Sequence, residues 1–129
     1  MSEQIRVLVV DDQPRARQSL KVLLATCPQV KEVQEAALAR EAMHMMEESP
    51  SDVVLMDVQM PEVNGLQATQ LIKAKWPQVK VIVLTLYAEY AAAAQAAGAD
   101  AFICKGEPTE KLLATLTEVA SSQYKRGAQ

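Results

Sequence analysis

Four short apolar runs, each closed by a polar residue, constrain this chain more than any other feature of its sequence. Val7-Leu8-Val9-Val10 leads to Asp11-Asp12, Val53-Val54-Leu55-Met56 to Asp57, Val81-Ile82-Val83-Leu84 to Thr85, and Phe102-Ile103-Cys104 to Lys105. A strand that is apolar at consecutive positions must be covered on both faces, which is what a parallel sheet between helical layers requires. A weaker strand candidate lies from Val30 to Ala36. Helical periods fill the gaps. Leu20, Leu23, Leu24 and Cys27 follow i, i+3, i+4, i+7, as do Ala39, Ala42, Met43 and Met46, and Leu112, Leu113, Leu116, Val119 and Ala120 form a last stripe. Such stripes read as core-facing surfaces. Pro14 and Pro108 suit the first turn of a helix, where the missing N–H has no partner to lose. Asn64 can cap a helix starting near Leu66, and Gly98 can stop an Ala-rich helix beginning near Ala88. Five strands alternating with five helices predict a doubly wound α/β fold.

Composition excludes several classes. A length of 129 residues is one domain, and 50% hydrophobic with 22% charged residues supplies a core that a disordered chain lacks. No apolar run approaches the ~18 residues needed to span a bilayer. The start, Met1-Ser2-Glu3-Gln4-Ile5-Arg6, lacks the pattern of a signal peptide, so the expectation is a cytoplasmic protein without a membrane partner. A net charge of −3, a pI near 5.2 and no Lys/Arg cluster argue against a nucleic-acid-gripping surface. The aromatics are Trp76, Tyr87, Tyr90, Phe102 and Tyr124, too few for a base-stacking platform. Cys27 and Cys104 are too few and too scattered for a disulfide framework or a zinc site. The single His44 reads as a solvated helix residue.

In an open α/β sheet the functional crevice lies beyond the carboxyl ends of the strands, where the winding reverses. If the first strand sits between the second and third, Asp11, Asp12 and Asp57 converge there, with Thr85 and Lys105 beside them. Clustered carboxylates raise one another's pKa values, and a hard divalent cation such as Mg²⁺, held by carboxylates, water and phosphate oxygens, relieves the repulsion. A carboxylate can itself accept a phosphoryl group. That transfer depends on charge neutralisation and positioning, which Mg²⁺ and Lys105 would supply, with Thr85 donating a hydrogen bond to a phosphate oxygen. Taken singly, each residue has an ordinary reading: Asp12 as a cap for the helix at Pro14, Thr85 and Lys105 as surface residues. Their joint placement at successive strand ends carries the argument.

With these residues in view, the chain resembles the receiver domain of two-component response regulators, the CheY-like family, over roughly Ile5 to Ser121. Asp11-Asp12 resembles that family's acidic pair. Asp57-Val58-Gln59-Met60-Pro61-Glu62-Val63-Asn64-Gly65 resembles its phosphoacceptor segment, D-x-x-M-P-x-x-D/N-G, and Thr85, Phe102 and Lys105 fall at its switch hydroxyl, switch aromatic and lysine. The resemblance implies a five-stranded parallel sheet in the order 2-1-3-4-5. It implies Asp57 as phosphoacceptor from a sensor histidine kinase, and Mg²⁺ held by Asp12, Asp57, the Gln59 backbone carbonyl and, more indirectly, Asp11. Lys105 would pair with the phosphate, Thr85 would move toward it, and Phe102 would swing inward, shifting the surface of the fourth helix, fifth strand and fifth helix. Homodimerisation on phosphorylation is a further implied partner state. Enzymatic activity in the ordinary sense is not expected beyond self-phosphorylation from donors and slow self-dephosphorylation.

Thr85-Leu86-Tyr87 and Lys105-Gly106 are similar to the LuxR/NarL-type transcription regulators, in which a helix-turn-helix domain follows the receiver. Gly106 stands where many receivers have proline and a cis bond. The domain reading is residues 1–122 as receiver and 123–129 as a tail or the start of a linker, with DNA reached only through a C-terminal domain that this chain lacks. A stand-alone single-domain receiver and a phosphate-independent pseudo-receiver are the alternatives. A dehalogenase-like phosphatase would carry its nucleophile in a D-x-D-type motif after the first strand, and a flavodoxin-type carrier would need a Ser/Thr/Gly-rich phosphate loop where Asp11-Asp12-Gln13-Pro14 stands. The Ala-rich segment after Tyr87 reads as a helix lying close to the sheet, in preference to a contact surface built on Tyr90 and Gln95.

Overall fold

The computed structural model describes residues 4–127, with side chains as far as Ser121. Strands β1 (Ile5–Val10), β2 (Val30–Ala36), β3 (Val53–Asp57), β4 (Lys80–Thr85) and β5 (Ala101–Cys104) alternate with helices α1 (Pro14–Leu24), α2 (Ala39–Glu48), α3 (Gly65–Lys75), α4 (Ala91–Ala96) and α5 (Thr109–Gly127). All strand pairs are parallel, in the order β2-β1-β3-β4-β5, so the expected fold is the observed one.

The sheet divides two apolar layers by residue parity. Leu8, Val10, Val54, Met56, Val81 and Val83 face α2, α3 and α4, where Ala42, Met46, Ala68, Ile72 and Ala94 are buried against them. Val7, Val9, Leu55, Ile82, Leu84 and Ile103 face α1 and α5, meeting Leu24, Leu112, Leu116 and Val119. Every residue of β3 and β4 is buried, as their unbroken apolar runs predict for central strands. Edge strand β2 is buried only at Ala36, which explains its weaker signal.

The helix boundaries follow the local signals at some ends and depart from them at others. Pro14 opens α1, and Asn64 caps α3: its side-chain oxygen accepts the Gln67 N–H at 2.9 Å, while the Gln67 side chain accepts the Asn64 N–H at 3.1 Å. Pro108 stands one residue before α5 rather than inside it. Helix α1 ends at Leu24, so Cys27 lies in the following turn, its N–H donating to the Leu24 carbonyl. The Ala-rich segment begins as a 3₁₀ turn, Ala88–Tyr90, before α4 proper, and Gly98 follows the helix in the left-handed region at φ 98°. Backbone helix α5 runs on to Gly127, through most of the segment read as tail or linker. The side chains of Tyr124, Lys125 and Arg126 lie outside the described residues. Among the described residues no helix is long and apolar enough to cross a membrane.

Candidate functional site

The strand ends are nearly flush. Val10 pairs in register with Met56, Asp57 with Leu84, and Thr85 with Cys104. Asp11 therefore follows β1, Asp57 ends β3, Thr85 ends β4 and Lys105 follows β5, all along one edge of the sheet. The winding reverses around β1, whose neighbours are β2 and β3, which is where an open α/β sheet places its crevice.

Asp11, Asp12 and Asp57 each offer a carboxylate oxygen within 4.8 Å of the others. Three carboxylates with no nitrogen or sulfur donor among them make an all-oxygen set, the donor chemistry that would suit a hard divalent cation such as Mg²⁺. Lys105 Nζ lies 3.0 Å from Asp11 Oδ2 and 3.1 Å from Asp57 Oδ1. Asp11 and Asp57 are buried, and Asp12 is half-buried at the rim. Burial pushes the Asp57 carboxyl above its ordinary range; the Asp11 charge adds to this, Lys105 opposes it, and Asp12 adds a little more. Burial alone would lower the Lys105 ammonium. Its hydrogen bond to Asp11 and the charges of Asp57 and Asp11 outweigh that and raise it.

Asp11 is held on every polar atom. Its N–H donates to the Ala36 carbonyl at 3.1 Å, its carbonyl accepts Arg17 Nη1 at 2.7 Å, Oδ1 accepts the Gln13 N–H at 2.9 Å, and Oδ2 takes Lys105. The turn into α1 is thus closed by Asp11, whereas the simpler reading gave that role to Asp12. Thr85 is buried, and its hydroxyl oxygen accepts the Tyr87 N–H at 3.3 Å. Phe102 pairs with Val83, so it lies on the α4 side of the sheet, two residues below Thr85 along the same face; it is half-buried and packs against that core. Gln59 is exposed and borders a cleft together with Asp12, Met60, Asn64 and Tyr90. The Lys105–Gly106 bond is trans, with Gly106 at φ 96°, and the Lys105 N–H donates to the Thr85 carbonyl at 2.7 Å.

The β3–α3 loop is set by Gly65. Its N–H donates to the Val58 carbonyl at 2.8 Å, and a Cβ there would press on the Asp57 carbonyl group and stand 2.9 Å from Val58 Cα. Glu62 in the same loop takes φ 71°, unfavourable for a side chain with a Cβ, and its carboxylate meets Arg40 at 3.1 Å.

Residue reasoning missed Arg17, Glu35 and Tyr90. Arg17 reaches the Asp11 carbonyl from α1 and Glu35 is its partner on β2, a meeting that no local spacing announces. Tyr90, considered above only for the disfavoured contact surface with Gln95, turns half-buried toward the cleft, edge-on to Tyr87 with ring centroids 6.2 Å apart. His44 is exposed on α2, as expected.

Comparison with known proteins agrees with this geometry. Residues 7–117 match the response regulator receiver domain. The transcriptional regulatory protein YhcZ of Bacillus subtilis is 36% identical over 94% of this chain and 57% of its own length. The response regulator GacA of Pseudomonas aeruginosa is 33% identical over 92% of this chain and 56% of its own. A crystal structure of a LuxR-family two-component response regulator from Aurantimonas superposes with a TM-score of 0.88 at 27% identity, covering 93% of this chain and 87% of that one. The chain spans a little over half the length of these two relatives. By its motif, its strand order, its acidic cluster and this match, the chain belongs to the response regulator receiver domain family.

Proposed function

We propose that the chain is a phosphorylation-controlled switch in which Asp57 accepts a phosphoryl group from the phosphohistidine of a sensor histidine kinase. The observation that carries this reading is the Lys105 ammonium lodged between Asp57 and Asp11, 3.1 and 3.0 Å away. In the transfer an Asp57 carboxylate oxygen forms a bond to phosphorus as the phosphorus–nitrogen bond breaks and the imidazole leaves. Asp12 and Asp57, with the Gln59 carbonyl and more indirectly Asp11, would hold Mg²⁺. When bound, Mg²⁺ neutralises negative charge on the carboxylates and the incoming phosphoryl group. Lys105 supplies a fixed positive charge at the same place. Thr85 donates its hydroxyl to a phosphate oxygen, and its movement opens space above Val83 into which Phe102 turns. Phosphate adds about −1.5 to −2 charge and acts by favouring one of two pre-existing arrangements.

The output we propose is transcriptional, through a LuxR/NarL-type DNA-binding domain, with homodimerisation as a consequence of phosphorylation. The complete set Asp11, Asp12, Asp57 and Lys105 favours this over a phosphate-independent interaction module. The test is intact-mass spectrometry after incubation with acetyl phosphate and Mg²⁺. Wild type gains one phosphoryl group and Asp57→Asn gains none; a phosphorylated Asp57→Asn protein overturns the assignment.

A further inference from the structure

We propose that Arg17 is a positioning residue for the acidic pair, clamping the Asp11 backbone carbonyl to Glu35 of β2 so that Asp12 is aimed at the divalent cation. The inference rests on the reading of Asp11, Asp12 and Asp57 as a Mg²⁺ site.

Arg17 stands in α1 just past its first turn, and its side chain is only 18% exposed. Its Nη1 donates to the Asp11 carbonyl at 2.7 Å and its Nε to Glu35 Oε1 at 3.0 Å. Lys21, one turn further along α1, takes the other oxygen of Glu35 at 3.0 Å. Glu35 is thus held by two cations, one per oxygen, and anchors a planar fork whose other tooth grips the Asp11–Asp12 peptide. A guanidinium can make both contacts at once because its donors are fixed in one plane; an ammonium cannot reproduce that geometry.

The peptide it grips controls the site. Among the described residues the Asp12 carboxylate makes no hydrogen bond, so its direction follows from its backbone. The Asp11–Asp12 peptide is planar, so fixing the Asp11 carbonyl fixes the plane from which the Asp12 Cα departs. The Asp11 N–H is already tied to Ala36, the β2 residue after Glu35. Arg17 completes the restraint from the other side. Groups that orient metal ligands through hydrogen bonds typically change metal affinity by about 10–100-fold when removed.

Three roles for Arg17 give three different outcomes for one measurement. As a mere positive charge near the site it would repel Mg²⁺, and its removal would tighten binding. As a simple tie between α1 and β2 its removal would lower thermal stability and leave the affinity of the folded protein unchanged. As a positioning residue its removal weakens Mg²⁺ binding. The experiment is a titration of the full chain with Mg²⁺ alone, followed by amide NMR shifts near Asp12 and Asp57, for wild type, Arg17→Met and Arg17→Lys. The expected result is about tenfold weaker binding in both variants. Equal or tighter binding in Arg17→Met overturns the proposal. Arg17→Lys keeps the charge and loses the fork, so wild-type affinity there also overturns it, and this variant decides the matter if Arg17→Met does not fold. No Mg²⁺-dependent shift in wild type overturns the metal reading itself, and the Arg17 inference falls with it.

Discussion

Burial at the end of β3 raises the Asp57 carboxyl above its ordinary pKa, with the Asp11 charge adding to the effect against Lys105. An acid whose folded pKa is raised binds its proton more tightly folded than unfolded. Its favourable contribution is present below the unfolded pKa and is lost as pH rises through the folded one. At neutral pH and without metal, ionised Asp57 therefore opposes folding. Asp57→Asn should melt higher than wild type at pH 7 in chelator-treated buffer, and the gap should close as pH falls below the carboxylate range. A lower melting temperature for Asp57→Asn at pH 7 would refute the electrostatic account. Thr85→Ala should still accept phosphate, because its hydroxyl does not react, but should transmit less: NMR shifts at Phe102 on phosphorylation should shrink well below those of wild type. Equal shifts in the two proteins would remove Thr85 from the switch. Asp11, Asp57, Thr85 and Lys105 are legible because each terminates an apolar run, with Asp12 next to Asp11, so chain position alone announces them. Arg17 was not, since its value lies in a contact with Glu35, 18 residues away and on another element.

Among the elements, the turn from β3 into α3 ties stability to the site. The Asn64–Gln67 capping box satisfies backbone N–H groups at the start of α3, and Asn64→Ala should cost about 1 kcal/mol without moving Asp57. Gly65→Ala should cost more, roughly 1–3 kcal/mol and upward, because the new methyl meets the backbone of Asp57 and Val58 and no flexible side chain can yield. Urea midpoints rank the two, and Gly65→Ala should also slow phosphorylation at Asp57 while Asn64→Ala does not. A Gly65→Ala midpoint at or above that of Asn64→Ala would mean that the loop can relax. Central strands β3 and β4 were easy to read because burial on both faces forces an unbroken apolar run. Edge strand β2 is half-wet and reads Val30-Lys31-Glu32-Val33-Gln34-Glu35-Ala36, a pattern that blurs with a loop. The start of α4 was misplaced by three residues because alanine propensity cannot distinguish a 3₁₀ turn from an α-helix.

At the scale of the molecule, alternation of strand and helix was enough to specify the layers. The strand order came through family resemblance, since parity and propensity do not say which strands are neighbours. Charge is organised at this scale too. Most basic residues among those described meet an acidic neighbour: Arg6 meets Glu32, Arg17 and Lys21 meet Glu35, Arg40 meets Glu62, Lys73 and Lys80 meet Asp100, Lys75 meets Glu47, Lys105 meets Asp11 and Asp57, and Lys111 meets Glu107. The chain as a whole carries −3. Affinity for the DNA backbone comes from clustered cations that displace counterions, and each missing contact flattens the salt dependence. Lys125 and Arg126 give at most two such contacts, too few to hold a duplex where the screening length is about 8 Å. The chain alone should therefore show no saturable binding to promoter DNA by fluorescence anisotropy at about 0.15 M salt. Phosphorylation makes it more negative and should not change that outcome. Joining a helix-turn-helix domain after Gln129 should create binding, because the basic surface then comes from the added domain. Saturable binding by the unextended chain would show that paired lysines and arginines at the receiver surface release their acidic partners to meet phosphate, contrary to the charge distribution seen here.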